Sequence, residues 1–204
     1  MRKPWVKSLA FGLCLVPLEA LAWYALHSQL GANPIEFITH FTGDWTIRFL
    51  VIVLAITPAR QLLGLPDLIR FRRMIGLFAF FYGCLHFLTY IWLDKFFDLA
   101  DMWKDIAKRP FITMGFLAFV SMIPLAVTST TGWIRRLGGP RWQLLHRLVY
   151  LSAMAGVVHY YWLVKSDVRL PVLYGTLVGI LLLYRIVMKL RRSPAKRTPQ
   201  PSAA

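Results

Sequence analysis

Acidic residues and cysteines are both scarce in this chain. Of 204 residues only 9 are Asp or Glu, and charged side chains make up 16% of the total, against about 25% in ordinary soluble domains. That deficit argues against a soluble globular protein. Cys14 and Cys84 are the two cysteines, and both fall inside apolar runs, which excludes a secretory disulfide framework. Missing too are a Gly-rich dinucleotide fingerprint, a phosphate loop and a His-Glu-x-x-His pair, so nucleotide-dependent and zinc-protease chemistry lack their usual residues. Internal repeats are not evident.

What the chain has in quantity is hydrocarbon. Apolar residues reach 57%, and a membrane-spanning helix needs about 20 of them in succession. Stretches 8–27, 45–63, 74–93, 111–129, 143–164 and 171–188 qualify or nearly do. The expectation is an all-α integral membrane protein, a six-helix transmembrane bundle occupying residues 1–190 as one domain, with a disordered basic tail over 191–204.

A net charge of +15 is of a size that attracts nucleic acid, but the placement of the basic residues argues for a topogenic signal. With both termini inside, Arg2, Lys3, Lys7, Arg60, Arg70, Arg72, Arg73, Arg135, Arg136, Arg141, Arg147, Arg185, Lys189 and the tail face the cytoplasm, opposed only by Asp67. On the far side Arg48, Lys95, Lys104, Lys108, Arg109, Lys165 and Arg169 are balanced by seven acids. The asymmetry fixes an N-in, C-in orientation, with contacts to membrane lipid and none to nucleic acid. Ala20-Leu21-Ala22 has the small-x-small form of a signal cleavage site, yet cleavage would leave five helices and an outward N-terminus, so retention is the better reading. Residues 35–41 fit a short interfacial helix, and Asp94, Asp98, Asp101 and Asp105 would give a surface helix one acidic, solvated face.

Three of the five histidines, His86, His146 and His159, lie inside apolar runs. Imidazole is costly to leave unpartnered in hydrocarbon, so each is a candidate for function. An iron porphyrin satisfies both demands at once, since its bulk is apolar and its metal accepts imidazole nitrogen as an axial ligand. The absence of Cys-x-x-Cys-His makes any such haem b-type. Helices three and five run in the same direction, and His86 and His159 then sit about 12 and 9 Å below the outer boundary, matching depths at which they can clamp one iron between them. Gly83 and Gly156 each precede a histidine by three residues, on the same helical face, where they would admit the macrocycle. His146 is about 20 Å deeper and turned by about 220° on a straight helix. It suits a second haem, opposite which the chain supplies Arg72, a propionate partner and not an ordinary iron ligand. Glu19 is an intramembrane carboxylate and a candidate proton or quinone site. His27 and His40 read as headgroup-level residues. The rival class is a proton or metal-ion transporter using these same histidines and Glu19, and a membrane anchor for a partner enzyme is a third.

Several segments together carry a resemblance: Asn33-Pro34-Ile35-Glu36 with Thr39-His40-Phe41-Thr42-Gly43, Phe71 through Leu77, Lys108 through Thr113, and Arg141 through Leu148. Through them the chain resembles, almost end to end, the MsrQ (YedZ) family within the ferric-reductase-like transmembrane group. The resemblance implies a haem-binding subunit of the bacterial inner membrane. It would carry electrons from the quinone pool or a cytoplasmic flavin reductase to a periplasmic molybdenum-cofactor enzyme that reduces methionine sulfoxide in oxidised proteins. It also implies FMN, for which no residue pattern is visible, and it leaves catalysis on the sulfoxide to the partner. In the wider group helices three and five each carry two haem histidines; here helix three keeps one.

Overall fold

The computed structural model describes residues 4–191. The expected tail, from residue 192 onward, lies outside them. In chain order the helices are α1 (Pro4–Leu26), α2 (Pro34–Leu62), α3 (Arg72–Leu88), α4 (Leu99–Lys108), α5 (Pro110–Val127), α6 (Thr131–Leu137), α7 (Gly139–Leu145), α8 (Leu148–Leu163) and α9 (Arg169–Arg191). A 3-10 turn, Pro66–Arg70, leads into α3, which continues through a π-helical turn, Thr89–Asp94. The described residues contain no strand.

Among the described residues five helices are long and apolar enough to cross a membrane: α1, α2, α3 with its π extension, α5 and α9. The sixth expected run, 143–164, is divided. Its main part is α8, whose 16 residues make a rod of about 24 Å.

Two close-packed pairs organise the bundle. α2 packs along α3, and α5 packs along α8, while α9 closes over α8 and α2 and α1 rests on the edge of the first pair. Small side chains make this approach feasible. Ala118 and Ser121 of α5 are buried near Ser152, Ala153 and Ala155 of α8, and the two serine hydroxyls meet at 2.8 Å.

Prolines lie inside three of the described helices, at positions 17, 58 and 124, and at the first two a distant side chain reaches the opened backbone ladder. Pro58 has no N–H for the carbonyl of Leu54 one turn earlier, so Arg185 of α9 donates to that oxygen at 2.6 Å. Pro17 loosens α1, and the fully buried Tyr82 of α3 inserts its hydroxyl there. It accepts from the Leu18 N–H at 3.1 Å and donates to the Cys14 carbonyl at 3.0 Å. Arg185, expected among the cytoplasmic arginines, packs against α2 and over the Tyr150 ring.

Three local expectations are corrected. Residues 35–41 form no separate interfacial helix: Asn33 caps Glu36 N–H at 3.3 Å, Pro34 opens the first turn, and α2 then runs unbroken to Leu62. The acidic face of the surface helix is not merely solvated. Asp98 caps α4, while Asp101 and Asp105 both bind Lys95, at 2.6 and 2.5 Å, and Arg109 closes on Asp105 at 3.3 Å. Finally, His146 is not inside a membrane helix. It terminates α7, and the chain turns through His146 and Arg147 before α8 begins.

Candidate functional site

A cavity of about 250 Å³ opens between the two helix pairs, at the end of the bundle nearest the π turn. His86 from α3 and His159 from α8 face each other across it, with ring centroids 6.0 Å apart and ring planes at 72°. One metal bound to both rings would need about this separation: a bond of about 2 Å to each nitrogen, plus the ring radius on either side. Sequence depth alone brought these two together, and the structure places them so.

Each imidazole is held from behind. The Nδ1–H of His86 donates to the Thr39 carbonyl of α2 at 2.9 Å, and that of His159 donates to the Phe111 carbonyl of α5 at 2.7 Å. A carbonyl can only accept, so both Nδ1 atoms carry the proton. Both Nε2 atoms are therefore left with a free lone pair, the tautomer that a metal ligand requires.

Four glycines line the cavity: Gly43, Gly83, Gly115 and Gly156. A methyl group on Gly83 would meet Met122 at 3.0 Å, and one on Gly156 would meet Ile47 at 3.5 Å. Neither expected glycine therefore touches its histidine; both reduce bulk along the cavity wall. The glycines against the rings are two that sequence reading passed over. A methyl on Gly43 would lie 3.1 Å from His86 Nδ1, and one on Gly115 only 2.7 Å from His159 Nδ1. The signal available was each glycine's position four residues after the carbonyl in question.

The rim is polar. Tyr90, on the π turn, has a buried hydroxyl with no hydrogen-bond partner among the described residues, and Asp94, Arg109 and the exposed His40 share that end. Beside it the Lys95 ammonium binds Asp101 and Asp105, which raises its pKa, while the same contact holds the Asp101 carboxyl below its ordinary range.

A second cavity, about 470 Å³, lies beyond Leu50 and Met122, which line both. The structure brings Arg72 and His146 to it, together with Gln143 and Arg147. His146 is oriented differently from the first pair. The Thr128 hydroxyl donates to the Pro124 carbonyl at 2.6 Å, so at the 3.1 Å contact with His146 it must accept, and the imidazole proton is on Nε2. His146 and His159 line different cavities, and the turn at His146 and Arg147 lies between them in the chain.

Glu19 lies on the exposed face of α1 and lines neither cavity. His27 is exposed and stacks on Trp23 at 3.7 Å, in keeping with a headgroup-level residue. No group of three or more His, Cys, Asp or Glu side chains converges among the described residues.

An all-helical bundle with paired inward histidines is a membrane protein of the ferric-reductase-like class, and the family model described as "Ferric reductase like transmembrane component" matches residues 42–157. Among relatives, the "Protein-methionine-sulfoxide reductase heme-binding subunit MsrQ" of Herminiimonas arsenicoxydans is 58% identical over 183 residues, covering 89% of this chain and 84% of its own. Those of Caulobacter vibrioides and Rhodospirillum rubrum are 51% and 50% identical, each spanning over nine-tenths of both chains. The chain belongs to the MsrQ family.

Proposed function

We propose that the chain is a b-type haem electron-transfer subunit of the bacterial inner membrane. It would take electrons from the quinone pool, or from a cytoplasmic flavin reductase, and pass them to a periplasmic molybdenum-cofactor methionine sulfoxide reductase, where oxidised proteins are repaired. One observation carries the reading: two imidazoles face each other 6.0 Å apart, with both Nδ1 protons committed to backbone carbonyls.

The residues fit a porphyrin. Two nitrogens without a third protein ligand suit an ion that brings its remaining donors with it. The glycine-lined wall leaves room for a flat macrocycle, and the unpartnered Tyr90 hydroxyl and the Arg109 cation at the rim suit its propionates. Bound there, haem supplies a one-electron carrier. His86 and His159 would hold it from two sides, leaving no open position, and the apolar walls from Ile47, Leu50, Phe87, Phe119 and Met122 exclude water. Arg72 and His146 are positioned for a second haem in the neighbouring cavity. There a guanidinium replaces one imidazole, and His146 must exchange its Thr128 contact to coordinate through Nε2. Glu19, facing outward from α1, stands where a lipid-soluble quinol would arrive and could take its proton.

In this reading α8 is the sixth span, both termini are cytoplasmic, and the His86–His159 cavity lies toward the periplasm. Each follows from the distribution of basic residues. The absorption spectrum of protein purified after expression with adequate haem supply is the test. A Soret band with one or more haems per chain is expected; its absence would defeat the proposal.

A further inference from the structure

The two histidines are seated in the same way on two helices that share no sequence repeat. A helical carbonyl already accepts from the N–H four residues on, and its second lone pair is ordinarily covered by the side chain at that later position, because helical side chains lean back over the preceding turn. At position 43 and at position 115 that side chain is a hydrogen atom. The Thr39 and Phe111 carbonyls are thereby uncovered, and each receives an imidazole N–H, at 2.9 and 2.7 Å. The seat always belongs to the other member of the close-packed pair: α2 seats the histidine of α3, and α5 seats that of α8.

We infer that Thr39 with Gly43, and Phe111 with Gly115, are paired positioning seats that fix the planes and the hydrogen bonding of the two axial imidazoles. This inference rests on the haem reading above. It makes Gly43 and Gly115 specific requirements of the redox centre, beyond helix packing. The seats do two things. They hold the rings at 72° to one another, and near-perpendicular axial imidazoles give ferric haem a highly anisotropic low-spin EPR signal, whereas near-parallel planes give a rhombic one. They also make each ring a hydrogen-bond donor through Nδ1, which increases its basicity toward iron and favours the ferric state.

Added methyl groups would act to different extents. On Gly115 the new carbon falls 2.7 Å from the ring nitrogen, inside any tolerable contact, so the His159 ring must leave its seat. On Gly43 the distance is 3.1 Å, and a displacement of a few tenths of an ångström suffices. Gly12 and Gly179, where an added carbon meets nothing within 4 Å, are the controls.

The experiment compares full-length Gly115→Ala, Gly43→Ala, Gly12→Ala and Gly179→Ala, with His86→Ala and His159→Ala alongside. Haem per chain, ferric EPR, the midpoint potential and thermal unfolding in detergent are read for each. Gly115→Ala is expected to lose most of its low-spin haem. Gly43→Ala is expected to keep its haem but to shift its EPR signal and raise its potential, and the two controls should match wild type. If Gly115→Ala does not accumulate, Gly43→Ala decides. A Gly43→Ala protein with altered melting but an unchanged EPR signal and potential would reduce the seats to packing and overturn the inference. Were the histidine variants to keep wild-type haem, the reading of the site itself would fall; loss of haem in them beside normal glycine variants would sink only the seats.

Discussion

The two cavities share Leu50 and Met122 in their walls, yet they are built on different principles. In the first, two imidazoles stand 6.0 Å apart and both are pinned through Nδ1 to backbone carbonyls, so each keeps an unprotonated Nε2. In the second, one imidazole shares the cavity wall with a guanidinium, and its Nε2 proton is engaged by Thr128. A side chain near a cavity is thus not equivalent to a prepared ligand. The tautomer, set by whatever touches the far nitrogen, decides which role the ring can fill.

The sharpest way to break this comparison is to remove the rings one at a time. His86→Ala and His159→Ala are each expected to abolish the tightly held haem, while His146→Ala keeps most of it, as measured by haem per polypeptide. Equal loss in all three would mean the cavities are one site. A smaller effect is expected from Arg72→Ala, which should leave the EPR signal of the first pair intact and lower total haem by at most the second equivalent. Loss of that signal would join what the structure separates.

Further from the cavities, Tyr82→Phe tests whether the helix pairs depend on repairs made at prolines. It strands the Cys14 carbonyl and the Leu18 N–H, and leaving a buried group unsatisfied costs about 1–3 kcal/mol. Thermal unfolding in detergent should fall accordingly, with haem content per folded chain unchanged. The smallest effect is expected at the rim. Asp101 is held below its ordinary pKa by Lys95, so its contribution to stability is full above the unfolded value of about 4 and is lost as pH falls through the lowered one. Lys95, raised by the same carboxylates, loses its contribution only when pH rises through its raised value. A titration of unfolding temperature should decline less steeply at the acid end in Asp101→Asn than in wild type, the remaining slope belonging to groups such as Asp167, which Arg169 also holds low.

Much of the site was legible without coordinates. Hydropathy marked the apolar runs, and counting residues from the charged ends of two of them put His86 and His159 at one depth, which the 6.0 Å ring separation matches. Depth along a helix is a one-dimensional quantity with a fixed rise, so sequence carries it. Azimuth beyond a break is not. The turn at His146 and Arg147 has no proline or glycine to announce it, and it lies where Trp142 donates to the Thr128 carbonyl and His146 to the Thr128 hydroxyl, contacts that neighbouring residues do not encode. The partner of Arg185 was hidden for a similar reason, since its acceptor exists only because Pro58, more than a hundred residues away, leaves a carbonyl free.

By itself, then, the sequence determined that this chain folds in lipid, which of its histidines share a depth, and which family it joins. Hydrophobicity, helical rise and local motifs are properties of neighbouring residues. Only the tertiary structure decided which backbone carbonyl receives each imidazole, and so which nitrogen is left bare. That choice depends on two helices meeting at a glycine, an event whose partners lie 47 and 48 residues apart in the chain.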